Sequence, residues 1–460
     1  MSKIRLHGSS SGYTEIAPVA ASGNNTLTLP NDGTIISKDS NGAVGVTSVH
    51  TTNITATGIA TITTAKIGAG VTISESGIEA SGIGITCASI NGGQIGGRRN
   101  LIINGAMNVA QRGTSTTTSG GYAADRLNVF HGGTDEAPTF AQADVSSGTT
   151  PYTLGFRKCL KVTNGNQTSG AGAADYVWLQ YKIEAQDIAN SGWNYTSTSS
   201  FITLSFWVKS SVAQDFKGFI QTSDGTAQSY PFATGSLTAD TWTKITKTIP
   251  GNSNLQFDND VNTGMNIQFL PFFGTDYTAS SATENAWQAY SSSARCKDST
   301  STWYTTNDAT WEITGIQLEV GNQVTPFEHR SYGDELTLCQ RYFETSYPSG
   351  YSAGHNFNDV YPFDTSKPVA QNYIASDDTT TAISYPFMVN KRASPTVTIY
   401  SAKDGTSGQA WTYKGTGGTD ANDALNVIQT REQSMMLGCS LGAVNQASEK
   451  YFHYTASSEL

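Results

Sequence analysis

FITLSFWVKS, residues 201–210, decides the fold class. Ile202, Leu204, Phe206 and Val208 fall on one face, and Thr203, Ser205 and Trp207 on the other. A period of two marks a half-buried strand, and β-branched and aromatic side chains suit a pleated surface. Outward from it, DTWTKITKTI (240–249) reads as another strand. So does WEITGIQLEV (311–320), where the apolar parity switches after Gly315, from Trp311 and Ile313 to Ile316, Leu318 and Val320. Such a switch predicts a β-bulge. Turn clusters at Asn164-Gly165-Asn166, Ser223-Asp224-Gly225 and Gly251-Asn252 space the strands. Many short strands with turn punctuation predict a sandwich or jelly roll over residues 99–330. Trp207, Trp242 and Trp311 belong to strands and are read as core.

Beyond it, SYGDELTLCQRYFE (331–344) places Leu336, Cys339, Tyr342 and Phe343 at helical spacing. Asp334 and Glu335 stand in its first turn, where acidic side chains suit the helix dipole. A short helix is expected there. ASPTVTIYSA (393–402) returns to strand, with Val397 and Ile399 on one side and Thr396, Thr398 and Tyr400 on the other. Residues 331–460 are therefore expected to form a smaller C-terminal sandwich.

The front of the chain differs. From Gly58 to Gly97 a thin repeat runs, with Ile59, Val71, Ile83 and Ile95 at an interval of 12. A short fixed period means one small unit stacked along an axis. The unit holds too few apolar side chains to fold alone, and a lone copy would leave strand edges open. Residues 46–98 are read as an intertwined β shaft of several chains, most simply a homotrimer, with those four residues in its core. Residues 1–45 are read as a small β element for attachment or capping. The whole is all-β.

Charged residues make up only 14 % of the 460, and the formal charge is −10. No Lys/Arg cluster larger than a pair such as Arg98–Arg99 occurs, which argues against nucleic-acid binding. That pair is read as a solvated domain junction. The cysteines, Cys87, Cys159, Cys296, Cys339 and Cys439, are scattered and odd in number, and fit reduced buried thiols. The N-terminus lacks the apolar core of a secretory signal, and no long apolar run suggests a membrane span. Assembly in a cytoplasm is expected.

The six histidines form no metal spacing, and no nucleophile elbow or phosphate loop occurs, so no enzyme and no cofactor are expected. His329 is read as a packing residue, and Glu184/Asp187 and Asp334/Glu335 as surface groups. Asp258-Asn259-Asp260 with Asn262 is oxygen-rich and could hold a structural Ca2+, or be an ordinary Asx-rich turn. Aromatics among small polar residues are the better candidates for recognition, because sugars lay their C–H faces on rings. They are Tyr347, Tyr351, Phe357 and Tyr361 in 342–364, and Trp411 and Tyr413 in 409–415. Packing is the alternative for each.

Several stretches together resemble receptor-binding and fibre proteins of tailed bacteriophages. They are SGYTEIAPVAASGNNTLTLPNDGT (11–34), NLIINGAMNVAQRGTS (100–115), SFWVKSS (205–211), DTWTKITKTIP (240–250), GIQLEVGNQVTPFEHRSYGDELTLCQRYFE (315–344) and ASPTVTIYSAKDGTSG (393–408). The resemblance implies a virion fibre that adheres to a host surface glycan or protein and contacts other virion proteins through its N-terminus. A head-decorating or collar fibre keeps the same architecture, and a polysaccharide depolymerase is a further alternative. The strands around Trp207 and Trp242 also resemble carbohydrate-binding sandwich modules, which implies a jelly roll without assigning ligand residues.

Overall fold

The computed structural model describes residues 99–348, 350–357, 380–413, 421–440 and 448–460, together with six short strands elsewhere. Side chains at 380, 381, 413, 439, 440 and 448 are outside the description. The chain divides into two compact units, 1–86 and 87–460.

In the second unit, two antiparallel sheets face each other across one core. Among the described residues the first sheet has six strands, in the order Thr243–Pro250, Phe201–Ser210, Thr310–Val320, Lys158–Thr163, Thr139–Asp144 and Ser115–Thr116. The second has seven: Gln288–Ala289, Gln228–Ser236, Asp215–Thr222, Thr263–Phe273, Tyr176–Glu184, Leu127–Gly132 and Tyr122–Ala124. Leu204, Phe206 and Val208 point inward and are buried, as their alternation predicted. Phe206 meets Phe269 of the opposite sheet edge-on, with ring centroids 5.0 Å apart.

The bulge lies where the parity switch put it. Ser205 pairs with Gln317 but Trp207 with Thr314, so the register slips around Gly315, whose φ is +65°. Trp311 is core. Trp207 and Trp242 are not: they are half-buried on the outward face, because Trp207 shares parity with Ser205 rather than with Phe206.

The segments 100–109 and 316–335 meet in a polar seam. Asn100 Oδ1 accepts from the backbone N–H groups of Ile102 and Leu318, each at 3.0 Å. Asn104 sits at φ +59°, a left-handed conformation that Asn tolerates better than most residues. Its amide donates to the carbonyls of Val109 (2.8 Å) and Asp125 (2.9 Å). Gly105 lies so close to the bulged strand that a Cβ there would stand 2.1 Å from the carbonyl oxygen of Ile316. Glu335 accepts the N–H of Asn104 and is buried, and Glu184 is fully buried, so neither is a surface carboxylate. Arg99 is half-buried, donates to the carbonyl of Pro326 and lies 3.5 Å from Glu319, so it is tied into the seam rather than solvated.

The expected helix forms at Tyr332–Gln340, capped by Ser331, whose hydroxyl accepts from Asp334 N–H at 3.2 Å. It ends earlier than the apolar spacing suggested. Tyr342 is held by Glu184 at 2.5 Å, and Phe343–Thr345 leaves as a strand paired with Ser448–Ser457.

A second apolar cluster, including Ile399, Leu425, Leu437, Phe452 and Tyr454, fills the C-terminal part. Val397 packs against it and Ile399 is within it, on the side their alternation assigned. Ser448–Ser457 is the hub of its larger sheet, and Thr380–Pro386, Ser434–Ser440 and Asn426–Thr430 make the smaller one. Cys159, Cys296 and Cys339 are buried free thiols; the side chains of Cys87 and Cys439 are outside the description.

In the first unit, Ile4–His7 pairs with Tyr13–Ile16. Thr64–Ile67, Val71–Ser74 and Gly77–Ala80 form an antiparallel meander with Ile67 opposite Val71 and Ile73 opposite Ile78. Val71 therefore stands on the middle strand, while Ile59, Ile83 and Ile95 lie outside the described residues.

Candidate glycan-binding site

Strand Tyr176–Glu184 (YVWLQYKIE) alternates cleanly. Val177, Leu179, Tyr181 and Ile183 enter the core, so Trp178, Gln180 and Lys182 face outward. Register then builds rows across that outer face. Gln180 stands opposite Asn128 on one side and Gln268 on the other. Lys182 stands opposite Asn266, Asn266 opposite Gln221, and Gln221 opposite Ser229. The result is a floor of amides drawn from four strands.

The amides orient one another. Gln180 Nε2 donates to Asn266 Oδ1 at 3.3 Å, Asn266 Nδ2 to Ser223 Oγ at 3.2 Å, and Gln268 Nε2 to Gln221 Oε1 at 3.3 Å. Gln268 is only 2 % exposed, yet its Oε1 has no hydrogen-bond partner, and neither has the buried Ser229 Oγ. A buried polar atom without a partner costs about 1–3 kcal/mol. Both atoms lie shielded from solvent, so the groups open to a ligand are those that line the cleft over Gln180.

Beside the amides lies an aromatic strip. Phe130 and Trp178 stack at 4.5 Å with an interplanar angle of 17°, and Trp178 meets Phe273 edge-on at 6.0 Å. A cleft of about 240 Å³ opens over Asn128, Phe130, Gln180 and Lys182. Its far wall is the C-terminal tail. Arg126 is ion-paired with Glu459, Arg112 reaches the same carboxylate at 3.0 Å, and Lys182 donates to the carbonyl of Leu460 at 2.8 Å. Burial pushes the Tyr122 hydroxyl in this wall up to about 12, so it stays a neutral donor at neutral pH.

Amides carry donors and acceptors on one side chain, which matches vicinal sugar hydroxyls. A neighbouring ring strip matches the apolar face of a pyranose. Both kinds of group are chemically suited to a sugar.

The residues favoured from sequence lie elsewhere. Tyr347 and Phe357 are buried in an aromatic nest: Tyr347 stacks on His453 at 4.2 Å and lies 6.2 Å from Phe357. Their faces are already covered, so packing is their role. Tyr351 is exposed on the nest's rim, edge-on to His355 at 4.8 Å. Trp411 is half-buried with the Lys403 ammonium 4.0 Å above its ring. Tyr361 and the Tyr413 side chain lie outside the described residues. His329 is exposed at its position, though its ring packs on Phe327 and Phe156.

At the oxygen-rich loop, Asp260 accepts from Asn262 N–H at 3.0 Å, the pattern of an Asx turn, and Asp258 accepts from Gln256 Nε2 at 3.1 Å. Among the described residues no three His, Cys, Asp or Glu side chains converge as a metal site. The amide floor was readable in principle: Gln180, Asn266 and Gln268 occupy the outward parity of YVWLQYKIE and TGMNIQFLPFF. What sequence could not supply was the register that aligns them.

No protein-family model and no curated protein matches this chain. Solved structures similar to it are carbohydrate-binding modules. The N-terminal cellulose-binding domain from Cellulomonas fimi β-1,4-glucanase C matches 47 % of this chain and 99 % of its own, at 12 % identity and a TM-score of 0.23. The CBM22-1 xylan-binding domain from Paenibacillus barcinonensis Xyn10C matches 51 % of this chain and 100 % of its own, at 10 % identity and 0.25. The CBM22-1–CBM22-2 tandem of the same protein spans 81 % of this chain and 93 % of its own, at 10 % identity and 0.24. At these scores the likeness carries no argument, and the two-sheet architecture rests on the strand pairing itself.

Proposed function

We propose that this chain is a fibre protein of a tailed bacteriophage that attaches the particle to a glycan on the host surface. The observation that carries the glycan reading is the cleft over Asn128, Gln180 and Lys182 beside the Phe130–Trp178 stack. The virion setting is supported by the sequence resemblance. Association of several chains, most simply three, is supported by the aliphatic period and by the meander's outer strands, each paired on one side only among the described residues. Several weak sites on one stem raise avidity through effective concentration, without new contacts.

A structural role in a head or collar fibre is the second reading, favoured by the resemblance residues Asn100, Asn104 and Glu335, which serve the internal seam rather than a surface. A glycan array probed with full-length protein, beside a Trp178→Ala/Gln180→Ala variant, separates the two. Adhesion requires wild-type binding to a host surface glycan and loss of at least tenfold in the variant. Wild-type protein that binds no host glycan leaves the structural role.

A further inference from the structure

The opposite face of the sandwich carries the larger cavity, about 410 Å³, within the range of small-ligand sites. Its floor comes from the bulge. At Gly315 the missing side chain leaves room that Phe156 and Trp207 fill: a Cβ there would lie 2.7 Å from the Phe156 ring and 3.2 Å from Trp207. Trp207 thus lies half-buried with one face toward the cleft. The wall is Phe327 and His329, both packed on Phe156 at 4.9 and 5.2 Å, with His329 Nε2 fixed 2.9 Å from the carbonyl of Leu154.

The polar groups are few. Ser205 lies one outward position before Trp207 on the same strand. Lys244 stands directly opposite Trp207 in register, is exposed, and has no ion-pair partner among the described residues. The neighbouring Lys209 is paired with Glu312 at 3.0 Å. The carboxylate of Glu319, beside the lining residue Thr325, is engaged by Thr325 Oγ1 at 2.6 Å and lies 3.5 Å from Arg99. An uncommitted ammonium next to an open indole face fits a ligand with an apolar ring face and an anion one substituent away.

We propose that this cleft is a second glycan site, selective for an acidic hexose residue. The sugar's C–H face lies on Trp207, its carboxylate meets Lys244, and Ser205 serves a ring hydroxyl. This goes beyond the amide-floored face: it uses the other sheet and shares no residue with it.

The test is calorimetry on the full-length chain with tetragalacturonate and with its methyl ester, which keeps the rings and removes the charge. Wild type is expected to bind the acid about fivefold tighter than the ester at low salt, the reach of one exposed ion pair, with the preference shrinking as salt rises. Lys244→Gln, an exposed change that keeps the fold, equalises the two ligands. Trp207→Ala weakens both at least tenfold. Three results overturn the proposal: no binding of the acid by wild type, equal affinity for acid and ester, or a preference that survives Lys244→Gln. Loss through Gln180→Ala with Trp207→Ala silent assigns the binding to the amide floor and equally overturns it. Failure here leaves the amide-floor reading standing, because that reading is tested with other residues.

Discussion

Acidification should weaken the C-terminal sandwich through one residue, His453. It lies on the hub strand, 1 % exposed, with its ring stacked on Tyr347 and its Nδ1 3.2 Å from Ser346 Oγ. Its Nε2 is buried without a partner. Burial pushes its pKa down from 6.5 to about 4, against a smaller upward effect from the bond with Ser346. The unfolded chain therefore takes up the proton first. Stability is fully present above pH 6.5 and drains away as the pH falls toward 4. A gap of about 2.5 units at about 1.36 kcal/mol each gives a loss of about 3 kcal/mol. Other carboxylates titrate in the same window, so the measurement is a difference. Hydrogen exchange of the 448–457 amides is followed from pH 7.5 to 4, after correction for intrinsic rates, in wild type and in His453→Phe, which keeps the stack on Tyr347. Wild type should lose about 3 kcal/mol more than the variant over that range. Parallel profiles would refute the reasoning, since they mean that His453 carries the same proton affinity folded and unfolded.

Lys391 and Glu344 are both fully buried and paired at 2.6 Å, so Lys391→Met leaves a buried carboxylate uncompensated and should cost about 3–5 kcal/mol in urea denaturation. Arg341 grips Glu184 through two bonds of 2.8 Å, and Arg341→Ala should lower stability by about 1.5–3 kcal/mol and raise proteolysis near residues 341–345. Gly105→Ala drives a Cβ into the Ile316 carbonyl at 2.1 Å; a backbone atom cannot swing aside, so a loss of about 3 kcal/mol or more is expected, read as a thermal shift. Val71→Asp with Ile73→Asp should convert a multi-chain particle into single chains in analytical ultracentrifugation, and an unchanged sedimentation coefficient would remove the stem from the assembly.

Parity made much of the sandwich legible. The Phe201–Ser210 strand, the bulge at Gly315 and the short helix Tyr332–Gln340 are all local consequences of side-chain period and backbone sterics. What failed was anything set by partners distant in sequence. Trp207 has the parity of Ser205 and was still assigned to the core, because a large indole on a strand looks buried until the opposite face is known to be open. Glu184 was assigned to the surface because its partner, Arg341, is 157 residues away. Tyr347 and Phe357 looked like loop platforms because His453, which covers the Tyr347 ring, arrives from the hub strand far later in the chain.

The two candidate faces differ in where their residues come from. Trp207, Lys244, Gly315, Phe327 and His329 all fall inside the stretches that resemble phage fibre proteins, 205–211, 240–250 and 315–344. Asn128, Trp178, Gln180, Asn266 and Gln268 fall inside none of them. Part of the resembling sequence is accounted for by the seam, where Asn100 and Asn104 hold backbone groups that the sandwich would otherwise bury unpaired. Lys244 is exposed and takes no part in the seam, while Trp207 lines the cleft and packs against the cluster of Ala106, Val145, Phe156 and Cys159. If only architecture underlies the resemblance, Trp207→Ala should lower the melting temperature through lost packing, and Lys244→Gln should leave every glycan affinity intact. A selective loss of acidic-glycan binding in Lys244→Gln at constant melting temperature instead makes the Trp207 cleft a recognition surface of this chain.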